Sequence, residues 1–397
     1  MSPLYYIPQY CLFATILSVI IGYSGAQVLL GPILLLICLF FIFSFRSCVK
    51  IGFRDPLLVT GFSLITLPIL VNYFHENEVH QDAVKLIVCF FGAFIGYGIK
   101  FSGILLNHGE AKENYKYYYM MLLPSLFAAL AAIFLGVQEN TPISIFVNRN
   151  NAVFYTFCVI AYICSQKSKI SDFFSRSYLV AFVGPIFLSM GGVAASILAI
   201  IIASRKWAII FVLSLLVWTG SRNDWDFLGG ELRERVWVVE ETLKLFLLPY
   251  FSAENYNYGE MVVILNTTDL SFFFRIKHWS ELWNVWMNSG VFVKFFGFGI
   301  GQSVFLTELG LVPHNDYLRS LIEMGVIGGL GFIWFVVVTV VVSLKTRAAV
   351  PMIAASIYFV SDNLINNMLG FFIYSITSGG LLAEWRIKNF SKQYILK

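Results

Sequence analysis

The chain has 397 residues, of which 58% are hydrophobic and only 13% are charged, with a formal net charge of +4. Soluble domains carry about a quarter charged residues, so this composition excludes an ordinary soluble protein. The apolar residues form long runs that suit helices crossing a hydrocarbon core of about 30 Å, without the alternation of membrane β-strands. The sequence therefore predicts an all-α, polytopic membrane protein.

The apolar runs predict about twelve transmembrane helices. The first run has no basic segment before it and no clear cleavage site after it, so we expect a first span and not a signal peptide. The predicted spans are 8–23, 26–45, 55–72, 86–104, 117–136, 152–166, 178–190, 192–204, 206–219, 325–343, 349–366 and 368–385.

The connections between these spans differ sharply in charge, which predicts their orientation. The short connections on one side hold only Lys85 and Arg149 as lysine or arginine. By the positive-inside rule, the other side is cytoplasmic and both termini lie there. The basic residues of that side are Arg46, Lys50, Arg54, Lys100, Lys112, Lys116, Lys167, Lys169, Arg176, Arg205, Lys206, Lys345, Arg347, Arg386, Lys388, Lys392 and Lys397.

Three regions follow from this topology. Residues 1–220 form an N-terminal bundle of about nine helices, residues 221–324 form an extracytoplasmic loop, and residues 325–397 form the last helices and a cytoplasmic tail. The six cysteines lie within or at the ends of apolar runs, which excludes a disulfide framework or a cysteine zinc site in the loop. No nucleotide-binding motif lies on a predicted cytoplasmic connection, which argues against an ATP-driven pump.

The long loop from Ser221 to Pro313 contains five of the nine tryptophans, together with seven basic residues. Two interpretations remain open. The loop could hold an amphipathic helix in the lipid headgroup region, or a platform that binds an anionic, amphiphilic substrate by stacking and by arginine forks. Apolar spacing predicts a helix over 274–287, with Leu282 and Trp286 on its apolar face.

Two motifs follow that helix. Phe296-Gly297-Phe298-Gly299-Ile300-Gly301 predicts a tight turn that another backbone approaches closely, because glycine has no Cβ. In the stretch 312–328, Asn315 or Asp316 is suited to cap a helix, which places His314 at a helix N-terminus that also favours an anion. A single histidine is more often structural than catalytic, so the residues alone leave both roles open.

These two motifs resemble the signature of the O-antigen ligase and polymerase superfamily, bacterial inner-membrane glycosyltransferases that act on undecaprenyl-pyrophosphate-linked glycans at the periplasmic face. The resemblance is carried by Gly297 and Gly299, by 313–319, by Glu323 with Gly325 and Gly328, and by Arg275 followed by Trp279. The motifs cover about 55 residues. The rest of the chain resembles the family in predicted topology only.

The resemblance implies a GT-C-like membrane fold, no metal and no cofactor, and inverting transfer of a glycan from a lipid pyrophosphate to an acceptor hydroxyl. His314 would be the general base or would orient the acceptor, and Arg275 would bind the pyrophosphate and stabilise the leaving group. The implied partners are lipid-linked oligosaccharide donor and acceptor, membrane lipid and a chain-length regulator, with no nucleic acid. The residues further expected to bind substrate are Arg222, Asn315, Tyr317, Arg319, Gly297, Gly299 and Trp279.

One departure from the family pattern favours a polymerase over a ligase. Ligases often carry a Ser-Arg pair near the end of an earlier span, where this chain has Ser189-Met190-Gly191-Gly192. Arg222 offers an arginine at the end of a later span in place of the missing one. We therefore expect a polymerase of O-antigen or a related surface polysaccharide, with the O-antigen ligase as the first alternative.

An alternative of another class is a transporter or flippase of the polysaccharide lipid carrier. Such proteins tend to have internal repeats and ionisable pairs at mid-membrane depth. No repeat is evident here, and the clearest polar cluster, Asp362-Asn363 with Asn366-Asn367, falls at the outer end of a predicted span. That cluster could line the mouth of a site or form an ordinary solvated turn.

Overall fold

The structure is a computed structural model, and its described part is all-helical. Within that part, three helices are long and apolar enough to cross a membrane: Pro56–His75, Gln81–Ser102 and Asp316–Ser343. The described residues are 36, 39–40, 42–76, 81–105, 121–130, 146, 149–166, 177–187, 189–203, 237–245, 247, 255–267, 270–307, 309–365 and 367–395.

The helices agree in position with most of the predicted spans that the structure describes. A further apolar helix covers Met121–Leu130 within predicted span 117–136, whereas spans 8–23 and 206–219 and most of 26–45 lie outside the described residues. The labelled helices are α1 Arg46–Gly52, α2 Pro56–Glu76, α3 Gln81–Leu105, α4 Arg149–Ser165, α5 Ser177–Ile186, α6 Met190–Ala203, α7 Tyr258–Leu265, α8 Ser271–Met287, α9 Val291–Phe296, α10 Asp316–Ser343, α11 Ala349–Tyr358 and α12 Met368–Ile395.

Local signals explain where the membrane helices begin. The Asp55 side chain accepts hydrogen bonds from the backbone amides of Leu57 and Leu58, and Pro56 occupies the first turn of α2. An N-terminal proline costs no hydrogen bond because the first amides of a helix have no partner within it. Arg386 of α12 also donates to Asp55 at 2.9 Å, which fixes the start of α2 to the last helix.

Close packing between α3 and α12 depends on small residues. A Cβ at Gly96 would overlap the carbonyl oxygen of Ile376, and one at Gly379 would overlap that of Ala93. Small residues let membrane helices approach closely, which is where dispersion contacts between them are strongest. This contact makes α3 and α12 one unit, around which α1, α4 and α10 pack.

Helix α10 is kinked where it meets the glycine turn. Gly325 has φ +65°, and a Cβ there would overlap the backbone of Phe295 and Phe296. The glycine turn also donates two backbone hydrogen bonds to α10. The Phe298 amide donates to the carbonyl of Ile322 and the Gly299 amide to that of Glu323, each at 3.0 Å. The predicted close approach at Gly297–Gly301 is confirmed, because Gly297 lies against the carbonyl of Glu323.

Candidate functional site

The candidate site is built around His314, which precedes α10 in a left-handed backbone conformation with φ +52°. Such a conformation costs a residue with a Cβ about 1–2 kcal/mol, so the surrounding contacts must hold it. The His314 amide donates to the side-chain oxygen of Asn363 at 3.1 Å. Asn315, next in the chain, caps α10 by accepting from the amides of Tyr317 and Leu318, as the sequence predicts.

His314 and Asp362 form a hydrogen-bonded pair. The His314 Nδ1 lies 2.8 Å from Oδ1 of Asp362, and the side chains are 31% and 5% exposed, respectively. Burial raises the pKa of Asp362, but the hydrogen bond and the charge of His314 outweigh it and hold this pKa below its usual value. Because an ionised carboxylate can only accept, Nδ1 carries a hydrogen, and in the neutral form of the ring the lone pair is therefore on Nε2.

Asp316 ties the segment that carries Asp362 to the start of α10. Its Oδ2 accepts from the amides of Leu364 and Ile365 at 2.7 and 3.0 Å, and its own amide donates to the carbonyl of Phe359 at 2.8 Å. Asp316 is fully buried. These three bonds set the distance between the backbone of 359–365 and that of His314, and hence the geometry of the pair.

A buried polar network backs the carboxylate of Asp362. The Asn150 side-chain oxygen accepts from the hydroxyls of Ser189 at 3.1 Å and Tyr358 at 2.8 Å, and these two hydroxyls lie 2.9 Å apart. Hydrogen bonding by the side-chain amide of Asn150 stabilises the charged form of Asp362 and so helps to lower its pKa. Three segments of the chain, around Asn150, Ser189 and 358–362, thus meet behind the histidine.

Two arginines bring positive charge to the same network. Arg149 begins α4 and Arg275 lies in α8, and the charges of both act on the hydroxyl of Tyr358. Arg275 donates to the carbonyl of Ser271 in its own helix at 3.3 Å. Among the residues that the structure describes, no carboxylate forms an ion pair with Arg275, so its charge is available to an anionic ligand.

Helix α8 also holds the chain that leads into His314. The predicted helix over 274–287 is confirmed as Ser271–Met287. Trp279 donates from its indole nitrogen to the carbonyl of Pro313, and His278 Nε2 lies 3.0 Å from the carbonyl of Leu311. Burial lowers the pKa of His278, assisted by the charge of His314 and opposed by the Leu311 carbonyl, so a neutral ring donates this bond.

The remaining predicted binding residues are occupied by contacts within the protein. Arg319 is buried and donates to Glu323 at 3.0 Å and to Asp82 at 3.1 Å. The Tyr317 hydroxyl donates to the carbonyl of Ser356 at 2.7 Å, and Gly297 and Gly299 face α10. Their roles in binding substrate stay predictions, and Arg222 lies outside the described residues.

The sequence motifs missed part of this cluster. In the sequence, Asp362 and Asn363 form a polar group that a solvated turn would also explain, and no motif indicates Asn150. The signal that could have found them is a pair of asparagine-rich stretches at the ends of apolar runs, 148–151 and 362–367. The Asn367 amide donates to the carbonyl of Asn151 at 3.0 Å, which joins the two stretches directly.

The described residues were also compared with the requirements of a metal site, and the chain with known proteins. Within the described ranges, no three His, Cys, Asp or Glu side chains are grouped so that they could hold a metal ion. The four cysteines described there, Cys48, Cys89, Cys158 and Cys164, are buried and form no disulfide with one another. In comparisons with known proteins, the chain matches no family model and no curated protein.

Proposed function

We propose that the protein is a membrane glycosyltransferase that joins undecaprenyl-pyrophosphate-linked repeat units of O-antigen or a related surface polysaccharide. The observation that carries the proposal is the pair of His314 and buried Asp362 at 2.8 Å. It is joined by the charge of Arg275, which acts on Tyr358 of the same network and has no carboxylate partner in the described chain. With it we propose a GT-C-like bundle of about twelve spans in the bacterial inner membrane, with the site on the periplasmic face and both termini in the cytoplasm.

In the proposed reaction, His314 acts as the general base. Its Nε2 takes the proton from an acceptor sugar hydroxyl while the hydroxyl oxygen attacks the anomeric carbon of the donor. The bond between that carbon and the pyrophosphate oxygen breaks on the opposite side, and the electron pair leaves with undecaprenyl pyrophosphate. Attack opposite the leaving group inverts the anomeric configuration. Histidine suits the step because its ordinary pKa lies near neutrality.

The charged neighbours of His314 have complementary parts in this reaction. Asp362 stabilises the imidazolium that forms when His314 gains the proton, as a buried carboxylate does beside a catalytic histidine. Arg275 binds the pyrophosphate and stabilises the charge that develops on the leaving oxygen. No proton donor is needed at the leaving oxygen, because pyrophosphate is already a good leaving group as an anion. The reaction needs no metal or cofactor in this scheme.

The departure at Ser189-Met190 supports a polymerase over a ligase, because the arginine of the ligase pair is absent. In the structure, the Ser189 hydroxyl bonds to Asn150 and Tyr358 and so belongs to the network behind Asp362.

A strain that lacks the gene should lose repeat-unit polymer. A ligase would instead leave lipid-linked polymer unattached, and a carrier transporter would leave single repeat units undelivered.

The direct test uses the full chain in nanodiscs with a lipid-linked repeat unit as the only substrate. We expect longer lipid-linked glycans and free undecaprenyl pyrophosphate, separated and measured by mass spectrometry. His314→Ala and Arg275→Gln should abolish both products, whereas His75→Ala, which changes an exposed histidine at the end of α2, should keep them. Full product from His314→Ala would overturn the proposed chemistry.

A further inference from the structure

Helix α9 presents an apolar surface that the rest of the described protein does not cover. Its sequence, Val-Phe-Val-Lys-Phe-Phe, is apolar except for Lys294, yet none of its residues is buried. Val291 is 73% exposed, Phe292 43% and Phe295 50%. These three side chains form the α9 patch. Exposed aromatic and aliphatic side chains this close together mark a surface that contacts a partner or a membrane.

Contacts with the membrane-crossing helix α2 fix the level of the α9 patch. The Asn72 amide donates to the carbonyl of Phe296 at 2.9 Å, and the His75 ring stacks on Phe292 with centroids 5.2 Å apart. Both residues belong to the last turns of the candidate span Pro56–His75. Helix α9 therefore packs against the end of this span and not against its middle.

The kink of α10 gives the same level independently. Phe295 packs on Gly325, the kinked residue within α10. The part of α10 from Gly325 to Ser343 is about 28 Å long at about 1.5 Å per residue, which is close to a hydrocarbon thickness of about 30 Å. Gly325 thus marks where α10 enters the hydrocarbon, and α9 lies at that boundary.

The exposed surface of α2 leads directly to the α9 patch. Leu67, Leu70 and Phe74 are 46%, 52% and 76% exposed on this apolar span, as lipid-facing side chains are. Phe74 precedes His75, which touches Phe292. Lys294 within α9 is partly exposed, and a lysine at a membrane boundary can extend its ammonium toward the headgroups.

We infer that α9 is an interfacial membrane helix whose patch of Val291, Phe292 and Phe295 inserts into the acyl-chain and headgroup boundary of the bilayer. The occupant of the patch is membrane phospholipid. Helix α9 leads straight into the glycine turn at Gly297, which bonds to α10. Lipid contact would thereby anchor the turn that supports the start of α10. The inference does not depend on the chemistry proposed above.

The test places the photoreactive residue p-benzoyl-phenylalanine at single positions of the full chain. Each variant is reconstituted in nanodiscs of phosphatidylethanolamine and phosphatidylglycerol, irradiated, and analysed by intact mass. The label at Val291 or Phe295 should form lipid adducts in a yield comparable with that of a reference label at Leu70 on α2. A label at Asn284, an exposed polar position on α8, should form severalfold fewer.

Two outcomes would overturn the inference. One is the absence of lipid adducts at Val291 and Phe295 while the Leu70 label forms them in the same preparation. The other is an adduct between two protein chains, which would assign the patch to a second copy. Thermal unfolding of each labelled variant, compared with that of the unlabelled protein, establishes that the adducts come from the folded chain.

Discussion

At the scale of single residues, the site is a histidine whose two ring nitrogens are differentiated by its surroundings. Asp362 binds Nδ1, and the left-handed backbone of His314 turns the ring toward that carboxylate while Asn363 holds the amide. A conformation that costs free energy persists only where several contacts impose it, and such positions cluster at functional sites. The 31% exposure of His314 leaves the ring accessible to a ligand, whereas Asp362 is enclosed.

The pair predicts the effect of Asp362→Asn. The amide keeps the size of the carboxylate but not the negative charge that stabilises protonated His314. We expect the rate of glycan transfer to fall by roughly 10²–10⁴-fold, the range over which a general base contributes. The measurement is polymer formation in nanodiscs at saturating donor.

Glu240→Gln, the same exchange at an exposed carboxylate, is the matched control and should leave the rate unchanged. A normal rate for Asp362→Asn, with an unchanged unfolding temperature, would show that the pair is structural.

At the scale of helices, α8 holds the segment 307–313 through His278 and Trp279. His278 Nε2 donates to the Leu311 carbonyl, and its Nδ1 lies 3.3 Å from the Thr307 hydroxyl. Because burial lowers the pKa of His278 in the folded protein, protonation favours the state in which this segment is detached. The contribution of His278 to stability is complete above about pH 6.5, the unfolded pKa. It is lost as the pH falls below that value toward the folded pKa.

This dependence is measurable by hydrogen exchange of peptides that cover 307–313. After correction for the intrinsic rate, we expect faster exchange at pH 5.5 than at pH 7.5. In His278→Gln the difference should shrink, because glutamine does not titrate in this range. Peptides of α12 provide an internal control and should show no such change. An equal pH effect in the parent and the variant would exclude His278 as its source.

The helices also show how much of the site the sequence could predict. The start of α10 at Asn315, the span of α8 and the close approach of the glycine turn follow from local signals of capping, periodicity and missing Cβ atoms. The partners of His314 do not, because Asp362 is 48 residues away along the chain. Hydrophobic patterns specify which face of a helix is buried, but not which polar ends meet after packing.

Arg319 illustrates the same limit. In the sequence it stands beside His314 in a motif and is predicted to bind substrate. In the structure its guanidinium reaches Asp82, 237 residues away, and Glu323 one turn along α10. A buried arginine that pairs with two carboxylates has a structural explanation of its own, which a motif does not reveal.

Arg319→Met should therefore destabilise the protein strongly. Removing one partner of a buried ion pair leaves uncompensated charge and costs about 3–5 kcal/mol. Buried Glu323 would lose its cation and Asp82 would keep only Lys85, so we expect a clear drop in the unfolding temperature in detergent. Lys244→Met, at an exposed pair of carboxylates, is the control and should leave that temperature unchanged. An unaltered unfolding temperature for Arg319→Met would favour a role in substrate binding instead.

At the scale of the whole molecule, two groups of charged side chains lie at opposite ends of the described helices. His314, Asp362, Arg149 and Asp82 lie at one end, and Asp55 with Arg386 lies at the other. The candidate site therefore lies at one end of the described helices and not midway along them. This arrangement suits a reaction on a lipid-linked glycan, whose sugar and pyrophosphate lie outside the hydrocarbon.

The two ends of the described helices are predicted to lie on opposite sides of the membrane and so to differ in their accessibility to a reagent added from outside. The positive-inside rule places Arg46 in the cytoplasm and Asn288, next to α8, outside. In right-side-out bacterial membrane vesicles, a membrane-impermeant maleimide should label Asn288→Cys, and Arg46→Cys only after detergent is added. The parent chain gives the background from its own cysteines, of which Cys48, Cys89, Cys158 and Cys164 are buried. The reverse pattern would put the site in the cytoplasm, where donors activated by nucleotides are available. The proposed transfer between two lipid-linked glycans at the periplasmic face would then lose its basis.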